Sequence, residues 1–130
     1  MSLDNFERVY ENSHFFVEIE ESSIPWLKVF AKEKVKELSF LSQEKRLELF
    51  NITNVVETTM IEFYAPDKVN IASFGNYVPQ VHMHIMARFK EDAFFPEPMW
   101  GERQREDKDF RGDFSAFIKK VQEALKSLYP

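Results

Sequence analysis

Residues 80–89 alternate strictly between two kinds of side chain. The even positions are rich in polar groups and hold Gln80, His82, His84, Met86 and Arg88. The odd positions are all apolar and hold Val81, Met83, Ile85, Ala87 and Phe89. Because successive side chains of a strand point to opposite faces, the segment predicts a strand with one face in the core and a polar face opposite.

Four other segments predict three further strands and a loop region. Residues 15–20 alternate apolar and polar side chains, and residues 26–30 are mostly apolar; turn-forming residues between them indicate a hairpin. Residues 68–74 predict a strand just before the one described above. The stretch 91–112 is charged, contains prolines and predicts irregular structure.

Two segments have the periodicity of helices. Apolar residues recur every three or four positions through 42–64, where Ser42 is a good N-cap and Pro66 ends the pattern. Residues 113–128 predict a C-terminal helix capped by Asp113. Strands and helices are mixed without regular alternation, which predicts an α+β fold with a mainly antiparallel sheet.

Composition narrows the class of protein. A length of 130 residues suits a single domain spanning 1–130, and the net charge of −5 without basic clusters argues against binding a nucleic-acid polymer. The chain has no cysteine, so it has no disulfide and no thiolate site. No apolar run approaches the roughly 18 residues of a membrane helix, and the first residues lack the basic start and apolar run that are typical of a signal peptide. We expect a cytoplasmic protein without a membrane partner.

His82 and His84 lie on one face of the predicted strand, with Cα atoms roughly 6.5–7 Å apart. Two such imidazoles can converge on a phosphate, and a neutral imidazole can attack phosphorus. Two alternatives remain: ordinary half-exposed histidines, or a zinc site. Zinc needs a third ligand, for which His14, Glu18 and Glu20 are the candidates.

Four more residues are candidates for this region. Asn70 and Asn76 lie just upstream and can reach the histidine face if the two strands pair, although Gly-Asn is also an ordinary turn. Arg88 shares the histidine face, and we expect it to form an exposed salt bridge at the strand end. Trp100 can stack on a base or anchor the C-terminal segment against the sheet.

The stretch NIASFGNYVPQVHMHIMARF resembles the motif of the histidine triad (HIT) hydrolases and transferases, His-φ-His-φ-His-φ-φ with φ apolar. His82 falls on the middle histidine and His84 on the third. Asn70 matches an asparagine of the upstream strand, and Asn76 matches a turn glutamine. Gln80 stands at the first histidine, which is a departure from the pattern.

The chain resembles more closely a bacterial, diadenosine tetraphosphate hydrolase-like subgroup in which glutamine replaces the first histidine. The Pro25-Trp26 pair and the sequence FFPEPMWG at 94–101 carry this likeness, which covers about residues 13–101. The resemblance implies a HIT-like fold: a mainly antiparallel five-stranded sheet, one long helix and a C-terminal helix. It also implies a homodimer.

The resemblance further implies a mechanism. His82 would attack the α-phosphorus of a nucleoside phosphoramidate or a dinucleoside polyphosphate, giving a nucleotidyl-histidine intermediate. His84, Asn70 and Asn76 would contact the phosphate. Gln80 would replace the first histidine through its backbone carbonyl, which fixes the ring of His82. No metal or other cofactor is implied.

A ribose-binding acid follows the first strand in relatives, and Glu21 or its neighbour Glu20 can fill that role. Two alternative functions stay open. Because Gln80 replaces a histidine, the chain can be a nucleotide-binding sensor with weak or no turnover. It can also be a zinc-dependent hydrolase that uses His82 and His84 as ligands.

Overall fold

A computed structural model describes residues 8–130; residues 1–7 of the predicted domain 1–130 lie outside the described part. Five antiparallel strands form one sheet in the order β1-β2-β3-β5-β4. They are β1 (Arg8–Glu11), β2 (Phe15–Ile19), β3 (Trp26–Ala31), β4 (Lys68–Ala72) and β5 (His82–Arg88). The hairpin of β2 and β3 and the pairing of β4 with β5 agree with the sequence. Periodicity gave no sign of β1, which has only four residues.

Two helices have the predicted positions. Helix α1 spans Gln43–Tyr64, and the side chain of Ser42 caps it by accepting a hydrogen bond from the third residue of the helix. Helix α2 spans Phe114–Leu128 and is capped in the same way by Asp113. A short 3-10 turn at Leu38–Phe40 precedes α1. Among residues 8–130, no helix is both long and apolar enough to cross a membrane.

The main core lies between the sheet and the two helices. Apolar residues of α1 and α2 pack there against the odd-numbered residues of β5, and the central members are Leu49, Ile52, Val56, Met60, Val81, Met83, Ile85, Ala87, Phe117, Val121 and Leu125. Their side chains are 5% exposed or less. The predicted apolar face of residues 80–89 and the α+β fold are confirmed.

The opposite face of the sheet is also covered. A second apolar cluster forms there from Ile24, Trp26 and Met86, with Met99 and Phe110 of the irregular segment packed against it. The segment returns over the sheet and is held there in part by a hydrogen bond from the backbone N–H of Phe110 to the carbonyl of Ser23. The histidine face is therefore enclosed on one side by chain that the sequence assigns to a loop.

The strands β4 and β5 are shorter than predicted, ending at Ala72 and beginning at His82. The missing residues form a turn in which the N–H of Gln80 donates to the carbonyl of Val78. Val81 still contacts β3, because its carbonyl accepts from the N–H of Ala31. The strand pattern thus continues one residue beyond regular pairing and then gives way to the turn.

Candidate active site

The histidines lie at the centre of the sheet, opposite β3. The register of the two strands places Phe30 across from His82 and Lys28 across from His84. These four side chains line a cavity of about 390 Å³, a volume typical of small-molecule sites. The full lining consists of Lys28, Phe30, Phe74, Gly75, Asn76, Tyr77, Val78, His82, His84 and Trp100.

His82 is held by a backbone carbonyl and an aromatic ring. Its Nδ1 lies 2.7 Å from the carbonyl oxygen of Gln80. Its ring stacks on Phe30, with centroids 4.4 Å apart and planes 13° from parallel. Because a carbonyl only accepts, Nδ1 must carry the proton, and Nε2 of the neutral ring keeps its lone pair. This is the nitrogen that a nucleophilic histidine needs.

Gln80 reaches the site through its main chain rather than its side chain. The amide Nε2 of Gln80 donates to the carbonyl of Ala31 across 2.6 Å, which ties the turn to the end of β3. The backbone carbonyl is left to orient His82. This geometry matches the role that the resemblance implies for the residue at this position.

His84 has the opposite arrangement of donor and acceptor. The indole Nε1 of Trp26 lies 3.1 Å from Nδ1 of His84, in a buried hydrogen bond. An indole nitrogen only donates, so Nδ1 is the acceptor and the neutral ring carries its proton on Nε2. His82 therefore presents a lone pair from Nε2, whereas His84 presents an N–H donor.

His84 is neutral at ordinary pH. Burial, aided by the nearby His82 and Lys28, lowers the pKa of His84 to about 4, and Glu20 opposes this shift only in part. The His82 and His84 side chains are close together, with ring centroids 4.9 Å apart. The two residues are 7% and 9% exposed, which contradicts the alternative of half-exposed histidines.

Lys28 is a residue of this site that sequence reasoning missed. Its Nζ lies 2.9 Å from a carboxylate oxygen of Glu20 and 3.4 Å from one of Glu18. Burial lowers the pKa of Lys28, but these two carboxylates outweigh it and leave the pKa above its usual value. Lys28 stands out as the one charged residue of its strand, yet the sequence alone does not say which strand it faces.

Only one of the three remaining predicted contact residues lines the histidine cavity. Asn76 lines the histidine cavity. Asn70 lines a neighbouring cavity instead, and its Oδ1 accepts a hydrogen bond of 2.8 Å from Nη1 of Arg88. Glu21 is exposed, lies 3.5 Å from Arg111 and does not line either cavity. The structure thus brings Asn76 to the histidines, but not Glu21.

Arg88 is buried, so the predicted exposed salt bridge at the strand end is wrong. The residue is 1% exposed, and its guanidinium pairs with both carboxylate oxygens of Asp92 at 2.9 and 3.0 Å. It also donates to the carbonyl of Glu97 across 2.8 Å. The error has a physical cause: the segment after β5 folds back over the strand end, which no local pattern indicates.

Trp100 forms part of the wall of the cavity while remaining half-exposed. Its ring meets those of Trp26, His84 and Phe74 edge to face, with centroids 5.3, 5.0 and 4.7 Å apart. The segment that carries it is fastened by Arg88. Trp100 therefore lies against the sheet, as one of its two predicted roles requires.

The third ligand that the zinc alternative requires is not found beside His82 and His84 among residues 8–130. Nδ1 of His14 lies 3.2 Å from a carboxylate oxygen of Glu48, which belongs to α1. Across the described residues 8–130, no group of three or more His, Cys, Asp and Glu side chains is arranged to hold a metal ion. His82 and His84 thus form a pair rather than part of a three-ligand set.

Comparisons with known proteins identify the family and the fold. The family model of the HIT domain matches residues 7–91. A histidine triad protein from Bradyrhizobium japonicum is similar over 95% of both chains, at 27% identity and a TM-score of 0.76. A histidine triad protein from Marinobacter aquaeolei VT8 is similar over 95% of this chain and 93% of its own, at 25% identity and a TM-score of 0.75. No curated protein matches.

Proposed function

The chain belongs to the HIT domain family, and on this premise we propose that it hydrolyses or transfers nucleotides through a nucleotidyl-histidine intermediate on His82. One observation carries the proposal. The Gln80 carbonyl holds the Nδ1 proton of His82 and leaves the Nε2 lone pair on a ring that lines the cavity. The departure from the triad pattern at Gln80 thus keeps the contact on which the nucleophile depends.

The reaction has two displacements at phosphorus. Nε2 of His82 attacks the α-phosphorus of a nucleoside phosphoramidate or a dinucleoside polyphosphate, and the bond to the leaving group breaks. The ring is then substituted at both nitrogens and positively charged, and the Gln80 carbonyl stabilises the remaining Nδ1 proton. Water attacks next and the P–N bond breaks, so that its electron pair returns to Nε2 of His82. The water releases a proton to the solvent, and the nucleoside monophosphate leaves.

His84 and Lys28 have supporting roles in this proposal. His84 donates its Nε2 proton as a hydrogen bond to a phosphate oxygen, since its Nδ1 is occupied by Trp26. Lys28 supplies a positive charge beside it, because the two residues are directly opposite in the sheet. Negative charge that develops on the phosphate in the transition state is stabilised by both groups.

Of the other predicted contacts, Asn76 can reach the substrate directly, whereas Asn70 and Glu21 would first have to leave their present partners. Asn76 donates to the phosphate from the cavity wall. Asn70 can do so only after releasing Arg88, and Glu21 would need to turn away from Arg111 to reach a ribose. We extend the proposal to a cytoplasmic homodimer, in line with the family resemblance.

One alternative function is favoured by a specific observation. Gln80 replaces the first histidine of the motif, and its side chain is committed to Ala31. A chain that binds nucleotides without turning them over would tolerate this change. The zinc-dependent alternative lacks a third protein ligand within residues 8–130.

A turnover assay separates these functions. The protein is incubated with a fluorogenic adenosine phosphoramidate and with diadenosine tetraphosphate, with and without EDTA. We expect EDTA-resistant turnover that His82→Ala abolishes and that His14→Ala, a matched change at a histidine outside the cavity, leaves intact. Turnover lost in EDTA would favour a metal, and tight binding without turnover would favour the sensor.

A further inference from the structure

Trp26 contacts His84 through the only polar atom of its side chain. The residue is 9% exposed and belongs to the apolar cluster with Ile24 and Met86. A buried indole N–H normally needs an acceptor, and here the acceptor is Nδ1 of His84 at 3.1 Å. The hydrogen bond joins neighbouring strands of one sheet, because Trp26 lies directly opposite Met86, two residues along β5 from His84.

The indole is held rigidly in this position. Its ring packs edge to face against Trp100 and against His84 itself, with centroids 5.3 and 5.7 Å apart. Packing against Trp100 and His84 thus fixes the indole ring of Trp26, and the indole N–H in turn fixes the imidazole of His84. The imidazole of His84 can neither flip nor move its proton to Nδ1 without losing this hydrogen bond.

We propose that Trp26 is a positioning residue of the reaction on His82: its indole N–H sets the ring orientation and the proton location of His84, so that Nε2–H is the group offered to the phosphate. The inference rests on the proposed function. The contact with Trp26 explains why His82 and His84, which share one face of the strand, carry their protons on different nitrogens. Gln80 dictates one proton position and Trp26 dictates the other.

The same contact disfavours a charged His84. A protonated ring carries a hydrogen on each nitrogen, and the Nδ1 hydrogen would face the donor-only indole N–H. Three other groups act on the charge of His84: His82 and Lys28 oppose a second positive charge, and Glu20 favours it weakly. Burial is the largest cause that lowers the pKa of His84 to about 4, and His82 and Lys28 add to it. The hydrogen bond from Trp26 therefore fixes the orientation of His84 and is compatible only with its neutral form.

The test replaces Trp26 with phenylalanine and reads the protonation of His84 by nitrogen NMR on histidine-labelled protein. With three histidines in the chain, the signals can be assigned by single substitutions. In the parent protein we expect an unprotonated Nδ1 and a protonated Nε2 on His84. In Trp26→Phe we expect the neutral form of His84 with its proton on Nδ1 to appear, and kcat to fall about tenfold with a smaller change in KM.

Trp100→Phe is the matched control, because it makes the same change in a second tryptophan that touches His84 only through its ring. The His84 nitrogen signals should keep the parent pattern in this variant. If Trp26→Phe does not fold, 3-benzothienylalanine at position 26 keeps the ring shape and replaces the N–H with sulfur. We expect this replacement to give the nitrogen signals and the loss of kcat that are expected of Trp26→Phe.

Two results would overturn the inference: a parent protein with its His84 proton on Nδ1, or a folded N–H-free variant with parental spectra and parental kcat. The nitrogen spectra need no substrate. If the parent protein turns over no nucleotide, the proposed function fails, and the spectra alone decide whether Trp26 controls the proton of His84.

Discussion

The two faces of β5 are both buried, but they are stabilised in different ways. On the core face, Met83, Ile85 and Ala87 pack among apolar side chains of the helices. On the other face, His82 and Arg88 each have specific hydrogen-bond partners, at the Gln80 carbonyl and the Asp92 carboxylate. Apolar packing requires volume and shape, whereas a buried polar side chain requires a particular atom at a particular place.

This difference determines how much stability or activity a substitution on each face removes. An apolar side chain can be trimmed at a cost set by the lost contacts and the cavity left behind. A polar partner that is removed leaves its counterpart buried and unsatisfied, or removes chemistry altogether. The predictions below test this contrast, beginning with the largest expected effect.

His82→Ala should lower kcat/KM for the turned-over nucleotide by on the order of 10⁴-fold, or about 5 kcal/mol, because the nucleophile is removed. The free energy of unfolding should fall by about 1 kcal/mol, since the change removes the stacking on Phe30 and one hydrogen bond to the Gln80 carbonyl. Steady-state kinetics and urea unfolding measure the two effects. A loss of activity smaller than about tenfold would show that His82 is not the nucleophile.

Arg88→Met should lower the free energy of unfolding by about 3–5 kcal/mol, because it leaves the Asp92 carboxylate buried without its guanidinium. Urea unfolding measures the effect. Lys90→Met removes a positive charge from an exposed side chain nearby and serves as the control, with an expected change within about 0.5 kcal/mol. If the two variants were equally stable, the buried pair would not fasten the segment after β5.

Acidification should destabilise the protein through His84. The folded pKa of about 4 lies below the ordinary 6.5, so the unfolded chain binds more protons between these values. The contribution of His84 to the free energy of unfolding is therefore fully present above pH 6.5. It falls as the pH drops from 6.5 to 4, and the total loss is about 3 kcal/mol. The free energy of unfolding as a function of pH, for the parent and for His84→Phe, measures it. An equal slope in both proteins would refute the assignment to His84.

Ile85→Val should have the smallest effect, about 1 kcal/mol in the free energy of unfolding, because it removes one buried methylene from the core face. The value of kcat should change by less than about twofold, since the backbone of β5 and the opposite face stay in place. Unfolding and kinetics on the same preparation measure both. A large loss of kcat would mean that the two faces are coupled through the strand.

Local pattern predicted the parts of this molecule that depend on neighbours in sequence. The strict alternation of residues 80–89 gave the two faces of β5, and Ser42 and Asp113 marked the beginnings of both helices. The resemblance added the fifth strand and an orienting role for the Gln80 carbonyl. The two faces of β5 and the two helix caps need only a few consecutive residues to be specified.

The features that escaped prediction depend on partners far apart in the chain. Lys28 and Trp26 reach His84 because β3 pairs with β5, and Trp26 and His84 are separated by 58 positions. Arg88 became buried because the segment containing Asp92 and Glu97 folds over it. A single sequence shows which side chains share a strand face, but not which side chains of another strand they meet.

The stereochemical course at phosphorus tests the central claim, the intermediate on His82, most directly. A nucleotide analogue with a sulfur-labelled α-phosphorus of known configuration is hydrolysed in isotopically labelled water, and the configuration of the product is determined. Each in-line displacement inverts phosphorus, so attack by His82 followed by attack by water predicts overall retention. Overall inversion would show that water attacks the substrate directly, and it would contradict the nucleotidyl-histidine intermediate.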